Sequence, residues 1–272
     1  MRWGLKGADS QEDFESYSER TILGVNLKVS SRVRECEFLD EALALEKSVN
    51  VAFANANTLR VAKRFKNYRY LLQNFRVLND GVGVDLASRI KFGRPFPENL
   101  NGSDFIPYYF SASRHDLRVF LLGARREVVA EAAHNFQRAF PRHTIVGQHD
   151  GYFRDDDNAR LCRQIRESGA NVLLVGMGNP LQEYWIAEHG DQSGAKLLFG
   201  VGALFDFMSG RVVRAPAWVQ QARCEWIFRL CLEPRRLYKR YLLDGAVFLK
   251  DVCIDRAFGE ASFPAKASDS FR

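Results

Sequence analysis

The chain has 272 residues, 46% of them hydrophobic, with 39 basic and 33 acidic side chains for a net charge of +6. That is enough apolar material for one large domain with an appendage. The longest apolar stretches, Trp226 to Leu232 and Ala246 to Leu249, fall well short of the roughly 18 residues a membrane span needs, which excludes a transmembrane helix.

Residues 1–20 read as an extension: Met1 to Lys6 leads into acidic, polar sequence without the apolar core of a secretory signal, so a cytoplasmic location is expected. The five cysteines form no C-x-x-C pair, and an odd number fits reduced thiols better than a disulfide framework or a zinc site.

A first strand is predicted over Ile22 to Val29 and a second over Val51 to Ala54. The second runs into Asn55-Ala-Asn57, whose amides would project at the end of the strand, where paired donors and acceptors can read a base or a sugar. Capping of the next helix is the competing role for Asn57. Leu78-Asn-Asp-Gly-Val-Gly83 then sets Asp80 directly before a glycine turn. A carboxylate there can take a proton from a sugar hydroxyl, although Asp-Gly is also a common turn dipeptide.

Further strands are predicted over Leu117 to Leu122, Thr144 to Gln148, Val172 to Val175 and Leu197 to Val201, with helices over Ala124 to Phe140, Asp157 to Glu167 and Gln182 to His189. Asp155-Asp-Asp157 has the carboxylates to chelate a divalent ion, but it stands where acidic residues cap a helix, and capping is the expected role. No metal and no cofactor are expected. Gly176-Met-Gly-Asn-Pro-Leu-Gln-Glu-Tyr-Trp185 follows the Val172 strand. Gly176 and Gly178 expose backbone donors at a strand exit, and Gln182 and Glu183 add polar reach. Gly200 to Gly210 is a second glycine-rich exit, with Asp206 between Phe205 and Phe207 and expected to orient a loop or a basic side chain.

The alternation predicts an α/β fold over 21–210: a Rossmann-like, doubly wound, mainly parallel sheet. Beyond it, residues 211–253 read as a basic helical appendage and 254–272 as a flexible tail. Between Arg211 and Arg240 stand eight basic residues against Glu225 and Glu233, which points to an anionic partner: nucleic acid, lipid headgroups or a phosphorylated substrate. Arg229 and Arg236 are seven apart, with Arg235, Lys239 and Arg240 beside them, and such a face can hold a diphosphate.

Together these strings resemble the WecG/TagA/CpsF family of bacterial glycosyltransferases from about Ile22 to about Tyr241. The resemblance rests on Asn57, Asn79-Asp-Gly81, Gly102-Ser-Asp104, Gly151-Tyr-Phe153, Gly176 to Trp185, Gly200 to Gly210, Arg214-Ala-Pro216 and Glu225-Trp226 through Glu233-Pro-Arg-Arg236. It implies inverting, metal-independent transfer from a UDP-sugar (N-acetylmannosamine, its uronic acid or glucose) to a polyprenyl-diphosphate-linked sugar. The enzyme would work at the inner face of the cytoplasmic membrane, which the appendage meets as it closes over the site.

On the same resemblance Asp80 is the general base, Asn57 and Asn55 lie at the donor site, and Gln182 meets the uridine end beside Gly176 and Gly178. Asp206, Arg235, Lys239 and Arg240 complete substrate binding, and Arg229 and Arg236 neutralise the leaving diphosphate. The chain departs from the family in carrying Asn55 where many members have Thr, and in a shorter spacing from Asn57 to Asp80.

A homo-oligomer is an expected possibility and nucleic acid is not an expected partner. An α/β protein binding nucleic acid through the basic, aromatic C-terminal segment is the alternative. A dinucleotide-dependent oxidoreductase lacks its G-x-G-x-x-G fingerprint after the first strand.

Overall fold

A computed structural model describes residues 18–212, 228 and 244–259. The strand expected at Ile22 to Val29 is instead a hairpin: β1 (Glu19–Ile22) pairs antiparallel with β2 (Val25–Lys28), outside the main sheet. Leu23 (φ 51) and Gly24 (φ 77) make the two-residue turn between them. Positive φ at both central residues is what such a turn requires, and burial of the Leu23 side chain offsets the strain of a branched residue there.

After α1 (Arg32–Ala44), β3 (Val49–Ala54) opens the main sheet. Helices α2 (Ala56–Arg64) and α3 (Lys66–Leu71) lead to β4 (Arg76–Asn79), and α4 (Val82–Phe92) and α5 (Gly102–Ala112) lead to β5 (Arg118–Gly123). Then follow α6 (Arg126–Ala139), β6 (Thr144–His149), α7 (Asn158–Glu167), β7 (Val172–Gly176), α8 (Leu181–Ser193), β8 (Leu197–Gly200) and α9 (Leu204–Met208). Six strands lie in the order β4-β3-β8-β7-β5-β6, and every neighbouring pair is parallel. The expected Rossmann-like, doubly wound sheet is therefore present.

Strand side chains point alternately to opposite faces, and in every strand but the edge strand β6 both faces are buried, so those strands are largely apolar. Ala52, Phe120, Leu122, Leu173 and Val175 join one core with α2, α3, α4, α7 and α8. Val51, Phe53, Val119, Leu121, Val172 and Leu174 join the other with α1, α5, α6 and α9. β4 hides from that pattern because polar Arg76 and Asn79 bound it. Both are buried nonetheless: Arg76 Nη2 donates to Glu35 Oε1 at 2.8 Å, and Asn79 Nδ2 donates to the Glu98 carbonyl at 2.8 Å.

The boundary expected between 253 and 254 falls inside a helix, α10 (Asp244–Phe258). Its described part is docked on the α/β domain through buried Phe248 and Val252, each contributing about 1.5–3 kcal/mol of burial. Ion pairs flank that contact: Arg60 with Asp244 at 2.7 Å, Lys63 with Asp251 at 2.5 Å, and Lys91 with the buried Asp255 at 2.7 Å. Asp255 Oδ2 also accepts the Leu23 N–H at 3.0 Å, so one carboxylate joins α10, α4 and the hairpin turn. Residues 213–227 and 229–243, most of the expected appendage, lie outside the described residues.

Replacing Asp255 by Ala leaves the Lys91 ammonium and the Leu23 N–H without that acceptor. We expect a loss of about 3 kcal/mol in urea unfolding, with no change in the secondary structure of the folded state by circular dichroism.

Candidate active site

Because every strand of the main sheet runs the same way, all the strand exits share one edge. β5 leads through α6 outward to β6, while β7, beside it, leads through α8 the other way to β8. The connections part there, which is where open α/β sheets bind ligands. A cleft of ≈ 1540 Å³ runs along this edge, lined by the exits of β3, β4, β5, β7 and β8 and by the start of α10.

At the β3 exit Asn55 is the N-cap of α2: its Oδ1 accepts from Asn57 N at 3.0 Å and Thr58 N at 3.1 Å, and Thr58 closes the capping box. The cap is thus Asn55 and not Asn57, correcting the competing role considered for Asn57. Thr and Asn are both good N-caps, so the departure from the family's Thr preserves the local structure. Asn57, in the first turn, is exposed on the cleft, and Arg60, one turn on, lines it as well.

At the neighbouring β4 exit Asp80 lines the cleft, half-buried, with its N–H bonded to the Ala54 carbonyl of β3 at 3.0 Å. Gly81 follows at φ 89, a conformation suited to glycine, and starts α4. Asp80 and Asn57, from adjacent strands, therefore open onto one cavity.

The Gly176 string forms the far wall. A Cβ at Gly176 would lie 2.8 Å from the Phe205 ring, so glycine is required by packing; Gly178 (φ 80) has open space around it. Gln182 is 1% exposed and its amide is engaged from beneath: Oε1 accepts from Gly178 N at 3.1 Å and Gly202 N at 3.0 Å, while Nε2 donates to Glu183 Oε1 at 2.7 Å. It ties together the two glycine loops that face the cleft. Glu183, wholly buried, also accepts from Asn179 Nδ2 at 2.6 Å and Tyr68 Oη at 3.0 Å. Desolvation pushes its pKa from 4.5 up to about 7, against the pull of those three donors.

Asp206 lines the cleft, half-buried, at the start of α9. The Asp155 triplet forms a short 3-10 turn ahead of α7, where Asp157 Oδ1 accepts from Arg160 at 2.9 Å, and it lies outside the cleft lining. Arg229, Arg235, Arg236, Lys239 and Arg240 lie outside the described residues. Sequence reasoning placed the positive charge of the site in the run from Arg211 to Arg240, of which Arg211 lines the cleft, and missed Arg32, Arg60 and Arg125, which line it as well. The signal for Arg60 was its place three residues beyond Asn57, on the same side of a helix. Arg125 directly precedes α6 at the β5 exit.

A parallel sheet whose exits converge on one polar cleft, with glycine loops, side-chain amides and a carboxylate on its walls, defines a doubly wound α/β protein with a candidate ligand site at its strand exits. The model of the WecG/TagA/CpsF family of glycosyl transferases matches residues 20–262, and the chain belongs to that family. Two relatives are N-acetylglucosaminyldiphosphoundecaprenol N-acetyl-beta-D-mannosaminyltransferases. That of Bacillus spizizenii is 33% identical over 197 residues, 72% of this chain and 75% of that protein. That of Bacillus subtilis is 32% identical over 167 residues, 61% of this chain and 64% of that protein. The chain is a glycosyltransferase of the hexosyltransferase kind.

Two measurements probe the walls. Asn55→Ala should cost about 1 kcal/mol in urea unfolding and Asn55→Thr close to nothing, because threonine still caps. Glu183 keeps its proton in the folded state where the unfolded chain has lost it. Its contribution is therefore fully present below pH 4.5, declines as pH rises to about 7 and is flat above, a fall on the order of 3 kcal/mol. Glu183→Gln should flatten that part of the stability–pH curve.

Proposed function

We propose that this glycosyltransferase moves an N-acetylmannosaminyl-type hexose from a UDP-sugar to an N-acetylglucosaminyl unit on a polyprenyl diphosphate, as the names of its relatives suggest. The observation that carries the reading is the juxtaposition of Asp80 and Asn57 on one cleft together with the Gly176 and Gly202 loops. Among the described residues no helix is long and apolar enough to cross a membrane, and in this reading the enzyme reaches its lipid-linked acceptor by peripheral contact. The 211–253 segment, facing the inner leaflet, supplies it in this reading.

Asp80 accepts the proton of the acceptor hydroxyl as its oxygen attacks the anomeric carbon. The bond from that carbon to the diphosphate breaks in the same displacement, so UDP leaves and configuration inverts. Asn57 holds the donor sugar, with Asn55 fixing the start of its helix. Gln182, Gly176 and Gly178 form the uridine end, Gln182 acting through the loops it joins, and Asp206 orients the loop beside them. Arg229 and Arg236, with Arg235, Lys239 and Arg240, neutralise the departing diphosphate, so the step runs without a metal ion. The partners are the UDP-sugar, the lipid-linked acceptor and the membrane, not nucleic acid; a homo-oligomer is compatible with this.

Asp80→Asn should lower kcat by about 10²–10⁴-fold while UDP binding by calorimetry is retained. A panel of UDP-sugars with a short-chain polyprenyl-diphosphate acceptor, run with and without EDTA and with product stereochemistry determined, tests donor, inversion and metal independence together. Full activity of Asp80→Asn rejects Asp80 as base, and loss of activity in EDTA rejects the metal-free step.

A further inference from the structure

The segment from Glu98 to Asn101 crosses the β4 exit and grips the residues on both sides of Asp80. On one side, Asn79 is wholly buried; its Nδ2 donates to the Glu98 carbonyl at 2.8 Å, and its own carbonyl accepts Leu100 N at 3.1 Å. On the other, Asn99 Oδ1 accepts the Gly81 N–H at 2.8 Å. That N–H belongs to the peptide group joining Asp80 to Gly81. Its orientation sets the backbone angle that aims the Asp80 side chain.

The strap is itself held at both ends. Glu98 Oε2 accepts from the Arg32 N–H at 2.7 Å and from Arg32 Nε at 3.2 Å, and Asn101 caps α5 by accepting Asp104 N at 3.0 Å. Asn99 stands between these anchors, half-buried in the cleft lining. Gly81, lacking a side chain and at φ 89, has the widest backbone freedom in the turn, and the Asn99 bond limits it.

We propose that Asn99 is a positioning residue for the transfer reaction, fixing the Asp80–Gly81 peptide so that the carboxylate meets the acceptor hydroxyl in line. This rests on the reading of Asp80 as base. Asn99 acts on the chemical step through Asp80, on the opposite side of the cleft from the glycine loops assigned to the uridine end. Loss of this bond therefore affects kcat and spares nucleotide binding. The other charged groups lining this part of the cleft are Asp85 on α4, Glu98 and Arg32 at the strap, Asp104 on α5, Arg60 on α2 and Asp244 on α10.

The test compares Asn99→Ala and Asn99→Asp in the intact chain, with UDP-sugar donor and short-chain polyprenyl-diphosphate sugar acceptor. Asn99→Ala should reduce kcat by about 10- to 100-fold, with the calorimetric Kd for UDP unchanged. Asn99→Asp keeps an oxygen acceptor and adds negative charge beside the base. It should recover much of that kcat and move the acidic limb of the kcat–pH profile to higher pH. Unchanged kcat in Asn99→Ala, or a matching loss of UDP affinity, overturns the proposal. Should Asn99→Ala fail to fold, an acidic limb unmoved in Asn99→Asp overturns it. Asp80→Asn tells the two readings apart: if that variant is inactive while Asn99→Ala is normal, only the role of Asn99 falls; if it is fully active, the base assignment falls.

Discussion

The cleft depends on how closely the backbones of β5 and β7 approach at their exits. Gly123 and Gly176 stand opposite one another in the ladder, and a Cβ on Gly123 would lie 2.5 Å from the carbonyl carbon and oxygen of Gly176. Gly123 is also at φ 132, so the position excludes any side chain twice over. From this contact the surrounding loops are stitched together: Ala124 N donates to Gly176 O at 2.9 Å, and Gly151 N donates to Ala124 O at 2.9 Å. Phe205 of α9 packs against the other side of Gly176. At Gly123 and Gly176 the edge is thereby floored by backbone alone.

A floor without side chains needs support from below, and here the support is polar. Tyr68, Asn179 and Gln182 all donate to Glu183, and the Gln182 carbonyl, oriented by that contact, takes the N–H groups of two loops. A desolvated carboxylate is expensive to bury, and the three donors offset only part of that cost, as the upward shift of its pKa records. Such a network contributes less to net stability than an apolar plug of the same volume. What it supplies is direction: each donor has one acceptor in reach, so the loops have one arrangement.

How much of this was legible follows the same physics. β5, β7 and β8 announced themselves because burial on both faces leaves runs of Val, Leu and Phe. β4 did not, because Arg76 is neutralised by a partner forty-one residues away, which periodicity cannot register. Asp80 was legible from its glycine turn and Asn57 from its strand exit. Asn55 was legible as a residue of the strand exit, though its work as a cap appeared only with the helix geometry. Gln182 carried no sign of which way its amide faces, since that depends on Glu183 and on a loop twenty residues further on. Asn99, in a stretch rich in Pro and Asn, reads as ordinary turn chemistry until the Gly81 N–H is seen beside it.

Strand order then arranges the chemistry in a line. Asp80 leaves β4, Asn57 follows β3, Asp206 follows β8 and Gly178 follows β7, and these strands are consecutive in the sheet. With neighbouring strands about 4.8 Å apart, Asp80 and the glycine wall are separated by three spacings, roughly 14 Å. In the proposed reading the sugar lies next to Asn57 and the nucleotide toward Gly178. The acceptor, in that reading, approaches from the β4 side, past α4 and the start of α10. The docking of α10 by Asp255 holds one wall of the cleft, and in the proposed reading that is the wall along which the acceptor enters.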